Sequence, residues 1–194
     1  MMSGSSEDTE SLGEQGRHSR GVAGSIPDIL AIIESAKARG GIDALERFIA
    51  KALPEAEEAE VKEAAEVALE VIESIPVFLA RARQEGAHRG LTSVVNPLLD
   101  HVEQYYLQPM DLIPEMTLGL PGLLDDSYLV IRILQNLEKG PDPFLDWDLD
   151  YPARFLRRLI GPAIAQRLDK IAARAMEDVS NQLRKFWQRM AHHA

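Results

Sequence analysis

Residues 105–115 of this chain read YYLQPMDLIPE, and residues 119–134 read GLPGLLDDSYLVIRIL. The first stretch carries prolines, which disfavour helical conformation in the preceding residue and lack the amide hydrogen that a helix needs. In the second stretch, glycines and paired aspartates precede a long apolar run. This order is typical of a turn followed by a buried helix. We therefore predict a tight connector that leads into a helix from Leu124 to Leu137, apolar nearly all round and placed at the centre of the fold.

The chain outside this connector is rich in helix formers. It has 194 residues, of which 45% are hydrophobic and 6% aromatic, and runs of β-branched residues are few. Apolar residues recur at steps of three and four, which is the spacing of an amphipathic helix. We predict an all-α bundle of roughly six to eight helices with a central buried helical hairpin.

Turn and capping residues set the expected helix boundaries. Asp43 is placed to cap a second helix, Pro76 is expected to kink or break a long third helix, and Gly86 is expected to close it. The predicted helices run from Ser25 to Gly40, Asp43 to Leu53, Pro54 to Gln84, about Thr92 to Leu107, Leu124 to Leu137, Ala153 to Ile160 and Ala163 to about Met190.

Composition divides the chain into a polar tail and a helical domain. Residues 1–24 are rich in Ser, Gly and Glu without periodicity, and we expect them to form a disordered N-terminal tail. Residues 25–194 are expected to form a single helical domain. Within it lie N-terminal helices at 25–90 that include a Glu-rich helix, a core hairpin at 91–139, and a linker with basic C-terminal helices at 140–194.

Charge is distributed unevenly along the chain, whose formal net charge is −10. Between Glu55 and Glu73 eight glutamates face a single lysine, whereas residues 151–194 carry nine basic and three acidic side chains. Two interpretations stay open: the acidic helix face opposes the basic helix within one molecule, or it is offered to a basic partner. Nucleic acid is not an expected partner, because binding it needs a basic stripe that the acidic majority would offset.

The sequence excludes several classes of protein. It holds no cysteine, so disulfides, zinc–thiolate sites and a thiol nucleophile are excluded. Residues 1–20 lack the apolar segment of a signal peptide, and charged residues interrupt the apolar stretch Leu118 to Leu134. We expect a cytoplasmic protein without a transmembrane segment. Peripheral contact with an anionic membrane through the basic C-terminal helix, with Phe186, Trp187 and Met190 inserted, is an alternative.

The connector also matches a family pattern. The motif Tyr-x-x-x-Pro-x-Asp-Leu-Ile-Pro-Glu, followed by Gly-x-x-Gly-x-x-Asp-Asp and an apolar helix, resembles the YkvA-like family, a bacterial domain of unknown function. The match covers about residues 96–137, and it implies a small helical hairpin with no established reaction, cofactor or substrate. The residues that carry the resemblance are Tyr105, Pro109, Asp111, Ile113, Pro114, Gly122, Asp125 and Asp126.

The acidic residues of the connector have two open interpretations. In the structural one, Asp125 or Asp126 caps the central helix while the other lies at the positive end of its dipole, and Asp111 bonds nearby amides in an Asx-type turn. In the other, hard oxygen donors bind Mg²⁺ or Ca²⁺, and His101 joins as a ligand or base. The predicted metal ligands are Asp111, Glu115, Asp125 and Asp126.

These features favour a non-enzymatic interaction or scaffold module of the bacterial cytoplasm. We expect it to work through the acidic helix face or the basic terminal helix, with a protein partner or by self-association. No organic cofactor is expected, and no catalytic residue is identified. The competing classes are a divalent-metal-binding or metal-assisted enzyme site on the four acidic residues, and a peripheral membrane protein held by the C-terminal helix.

Overall fold

A computed structural model describes residues 26–107, 112–113, 118–137 and 146–191, and in the last range only the backbone of residues 178, 180 and 182–191. All regular structure in these ranges is helical, which confirms the all-α prediction and the number of helices. The seven α-helices are α1 (Ile26–Ala38), α2 (Gly41–Ala52), α3 (Glu58–His88), α4 (Thr92–Leu107), α5 (Leu124–Leu137), α6 (Asp150–Ile160) and α7 (Pro162–Ala191). A 3-10 helix (Leu120–Leu123) precedes α5. The predicted disordered tail, residues 1–24, lies outside the described residues.

Helix α5 lies at the centre of the described structure, as predicted. Eleven of its 14 residues are buried, so its surface is covered on nearly every side. Its neighbours are α7, α6, α3, α4 and the 3-10 helix. Full burial of one apolar helix requires a shell of other helices, each of which contributes one apolar face. This requirement organises the bundle.

The first turn of α2 corrects one prediction. Gly40 holds the N-cap position without a side-chain cap, and Asp43, expected to cap this helix, lies inside its first turn. A carboxylate there still interacts favourably with the positive end of the helix dipole. The capping signal therefore located the helix but misplaced its N-cap by three residues.

Helix α3 is continuous over its 31 residues. We predicted a kink or a break at Pro76, and the helix does not break there. The helix begins with a capping box, in which Glu60 Oε2 accepts a hydrogen bond of 2.9 Å from the Glu57 amide. Pro76 removes one backbone hydrogen bond, but its ring is buried in the core. Packing of a buried face, more than local propensity, stabilises helices in proteins, and here it carries the helix past the proline.

Gly86, predicted to close α3, lies within it. A Cβ on this residue would lie 3.1 Å from Cβ and Cγ1 of Val95, so the missing side chain lets α3 and α4 approach closely. The helix ends at His88, and Gly90 follows with φ of +69°. The sequence signal therefore marked a packing contact instead of a helix end.

Gly119 makes the connector fit against α1. Its φ is +67°, and a Cβ there would lie 3.0 Å from the carbonyl oxygen of Ala36. A side chain at this position meets both a backbone conformation that L residues disfavour and a fixed backbone atom. The connector can pass the end of α1 only where the residue is glycine.

Gly119→Ala should lower the free energy of unfolding by about 2–3 kcal/mol, the sum of conformational strain and collision with Ala36. The matched control is Gly90→Ala, because Gly90 has φ of +69° and no atom within 4 Å of the added Cβ. We expect the control to lose about 1 kcal/mol. Urea denaturation measures both changes, and equal losses would show that the contact with Ala36 has no energetic consequence.

Candidate functional site

The paired aspartates lie in the first turn of α5, and both are buried. Asp125 is 4% and Asp126 5% exposed. The helix begins at Leu124 and follows the 3-10 helix directly, so neither aspartate occupies the N-cap position that we predicted for one of them. Both lie where the positive end of the α5 dipole favours negative charge.

Asp125 bonds to the connector. Its Oδ2 accepts a hydrogen bond of 3.2 Å from the backbone amide of Ile113, twelve residues earlier. Ile113 is 5% exposed and belongs to the core. A buried amide needs an acceptor, and a buried carboxylate needs donors, so each group satisfies the other. The carboxylate thus attaches the connector to the start of the central helix.

The other motif residues divide into described and undescribed ones. Tyr105 is half-buried on α4, and the ring of His101 stands edge-on to it with 4.8 Å between centroids. Gly122 is buried in the 3-10 helix. Pro109, Asp111, Pro114 and Glu115 lie outside the described residues.

The predicted metal site stays a prediction. Two of its four ligands, Asp111 and Glu115, are outside the described residues. Among the side chains that the structure does describe, no group of three or more His, Asp or Glu is close enough to hold a metal ion. Asp125 and Asp126 would therefore need the undescribed acidic residues to complete a coordination shell for Mg²⁺ or Ca²⁺.

Asp125→Ala should lower the free energy of unfolding by about 1–3 kcal/mol, because it leaves the buried Ile113 amide without its carboxylate acceptor. Asp43→Ala is the control, since Asp43 also lies in the first turn of a helix but is exposed. We expect the control to change stability by less than about 1 kcal/mol. Thermal and urea unfolding of the two variants measure the difference, and similar losses would assign Asp125 only a dipole effect.

A polar network that the sequence analysis missed joins α5, α6 and α7. Asp169 accepts hydrogen bonds from Arg132 Nε at 2.7 Å, from Arg157 Nη1 at 2.8 Å and from the Tyr128 hydroxyl at 2.9 Å. Arg157 Nη1 also donates to the Tyr128 hydroxyl at 3.1 Å. These residues are up to 41 positions apart. No spacing rule within one element would have found them.

The network sets the protonation of Asp169. Burial raises the pKa of this carboxyl, but hydrogen bonds from Arg132, Arg157 and Tyr128 outweigh burial and hold its pKa below the ordinary 3.8. Gln135 extends the network, because its amide accepts from Arg132 and donates to Asp150. The carboxylate is therefore ionised at neutral pH, and two guanidinium groups share its single negative charge at the junction of three helices.

A second buried ion pair joins α3 to α4. Arg83 Nη2 donates to Glu103 Oε1 at 2.8 Å and to Asp100 Oδ1 at 2.6 Å. Glu103 is 1% exposed, and this burial raises the pKa of its carboxyl. Removal of Arg83 would leave a buried carboxylate without its cation, which is a strongly unfavourable arrangement.

Asp169→Asn should lower the free energy of unfolding by about 1–2 kcal/mol at neutral pH, because two arginines lose their counter-charge. Because the pKa of Asp169 is lowered in the folded state, its carboxylate contributes to the free energy of unfolding above pH 3.8. This contribution is lost as the pH falls through the folded-state pKa. The stability difference between wild type and variant should therefore shrink below that pH. Urea denaturation across pH measures it, with Glu177→Gln, an exposed acid on the same helix, as the control.

The acidic face of α3 is solvent-exposed. We define it by Glu63, Glu66 and Glu70, which are all exposed and lie on one side of the helix. The described ion pairs near this surface are made by its neighbours, from Glu58 to Lys62 at 2.6 Å and from Glu73 to Lys37 at 2.8 Å. Within the described residues, the three glutamates of the acidic face form no ion pair.

Among the described side chains, no ion pair joins the basic C-terminal helix to this face. α3 packs chiefly on α1, α2, α4 and α5, whereas α7 packs chiefly on α5, α4 and α6. The described ion pairs of α7 are made by Asp169 with Arg132 and Arg157. The described ion pairs of α3 are made with residues outside α7, such as Lys37 and Asp100, or within α3 itself, as with Lys62. The interpretation that α3 and α7 compensate each other is therefore unsupported among the described side chains. Phe186 and Trp187, which the membrane alternative needs, lie outside the described side chains.

Comparisons with protein-family models, curated proteins and solved structures found no match to this chain. The resemblance to the YkvA-like family therefore stays a prediction that rests on the quoted motif. In the described part of the chain, no helix is long and apolar enough to cross a membrane.

Proposed function

We propose that this protein is a non-enzymatic interaction module, cytoplasmic in location, that binds a basic protein segment through the acidic face of α3. The observation that carries the proposal is the row of exposed glutamates at positions 63, 66 and 70, without ion pairs among the described residues. The YkvA-like motif adds no reaction to this proposal, because the family it resembles has none established.

The geometry of the acidic face suits an extended or helical basic segment. Its three carboxylates follow steps of three and four residues, so they form a stripe along one side of α3. The opposite side of the same helix is anchored in the core through Ala65, Ala68 and Ile72, each 0% exposed. The stripe is thus carried on a rigid element, and a partner would not need to order it.

The energetics also favour a basic partner. Like charges at helical spacing repel one another by a few tenths of a kcal/mol for each pair, so the free protein carries unrelieved repulsion along this stripe. Lysine or arginine side chains of a partner would relieve it and would be attracted by the overall negative charge of −10. Such a contact would be sensitive to salt. The basic C-terminal region of a second copy is one source of such a segment, so self-association belongs to the same proposal.

A decalysine peptide labelled with fluorescein serves as the probe for the acidic face. Wild-type protein should bind it at low salt. The triple variant Glu63→Gln, Glu66→Gln, Glu70→Gln should bind about tenfold more weakly, because three ion pairs at about 0.5 kcal/mol each are lost. Fluorescence anisotropy measures the dissociation constants.

The matched control changes net charge by the same amount elsewhere. Asp43→Asn, Asp146→Asn and Glu177→Gln together remove three exposed acids from outside α3. We expect this variant to bind the peptide within about twofold of wild type. Equal losses in both triple variants would mean that net charge alone drives binding, which would refute the assignment of the acidic face. Sedimentation velocity of the same proteins tests whether the partner is a second copy.

A further inference from the structure

A small pocket of about 240 Å³ opens beside α2, on a surface distinct from the acidic face. Its wall includes three exposed basic residues, Arg39, Arg47 and Lys51. Its apolar part is formed by Phe48, Leu118 and Pro121. The pocket therefore combines an apolar floor with a cationic rim.

Helical geometry and the connector together build this pocket. Arg47 and Lys51 are four residues apart on α2, so they lie on one side of the helix, with Phe48 beside them. The remaining wall comes from the far end of the connector. Gly119 lies so close to the carbonyl of Ala36 that a Cβ would meet it at 3.0 Å, and this close approach holds Leu118 and Pro121 over α2. The pocket exists only because the connector passes there.

The charge of the rim is uncompensated within the described residues. In the part of the chain that the structure describes, Arg39, Arg47 and Lys51 form no ion pair and no acidic residue lines the pocket. The acids of α2 itself, Asp43 and Glu46, are not part of its wall. Acidic residues outnumber basic ones by 31 to 21 in the whole chain, so a group of three cations without an acid is a local exception to the composition.

We propose that this pocket binds a small amphiphilic anion: a carboxylate carried on a short apolar chain or on an aromatic ring. The guanidinium groups of Arg39 and Arg47 are suited to a carboxylate, because planar N–H donors match its two oxygens. Phe48 and Leu118 would cover the apolar part. Ligand pockets commonly measure about 300–1,000 Å³, so a volume of about 240 Å³ limits the buried part to a short chain or a single ring.

Octanoate is the test ligand, and isothermal titration calorimetry with the full chain is the measurement. Wild-type protein should bind octanoate with saturation at one site. Arg47→Ala with Lys51→Ala should weaken binding about tenfold or more, because two charged contacts are lost. Leu118→Ser should weaken it about threefold through lost apolar burial, since Leu118 is 38% exposed and not needed for the core.

Two controls distinguish binding in this pocket from unspecific electrostatic or apolar attraction. Arg158→Ala with Arg174→Ala removes two exposed cations on α6 and α7, and it should leave octanoate affinity within about twofold of wild type. Octanol, which has the same chain without the charge, should bind wild type much more weakly and should not distinguish wild type from the two arginine and lysine double variants. Circular dichroism and unfolding curves establish that each variant is folded.

Three outcomes would overturn the proposal: no saturable octanoate binding by wild type, equal loss in both double variants, or octanol binding as tight as octanoate.

Binding to phosphatidylglycerol vesicles is measured as well, since a membrane lipid offers the same combination of an anion and an apolar chain. If the protein binds vesicles in a way that depends on Arg47 and Lys51 but does not bind free octanoate, the ligand is a membrane surface and the proposal is refuted. Binding of decalysine should be unchanged in Arg47→Ala with Lys51→Ala, so this test and that of the acidic face fail independently.

Discussion

The rest of the structure depends on the burial of one short apolar helix on all of its sides. Helix α5 has 11 of its 14 residues buried, and two of them are aspartates in its first turn. Apolar burial stabilises the fold only if the polar groups taken inside with it are satisfied. The hydrogen bond from the Ile113 amide to Asp125 meets part of that requirement and attaches the connector to the helix that it precedes. The other helices follow as the shell that covers α5.

The same balance governs the charged side chains where helices meet. Arg132 and Arg157 share Asp169, and Arg83 is matched by Glu103 and Asp100. Each of these pairs joins two different helices, so each contributes to the choice of neighbouring helices. At the surface the pattern reverses, because the acidic face of α3 and the cationic rim beside α2 are left without ion pairs among described residues. The exposed charges of these two surfaces are available for contact with another molecule.

The sequence predicted the helices well wherever local signals and packing agree. The approximate bounds predicted for α4 and α5 agree with the structure, since a proline-rich connector lies between these helices and leaves few alternatives. It failed where packing outweighs a local signal. Pro76 lies within a continuous helix because the core holds both halves together, and Gly86 marks a close approach to Val95 instead of a helix end. Asp43 lies in the first turn of a helix that begins at a glycine. The paired aspartates were found from sequence alone, but their position in the first turn, in place of the cap, depends on the 3-10 helix before them.

By itself, the sequence determined the helical class, most helix boundaries, the central place of α5 and the presence of an acidic stripe on α3, because all of these follow from spacing along one element. Only the tertiary structure decided which charges meet. Asp169 is 37 positions from Arg132, and Leu118 is 67 positions from Lys51 in the chain, yet packing places each pair at a common site. Such contacts arise from the way helices cover α5, and no periodicity within a single helix encodes them.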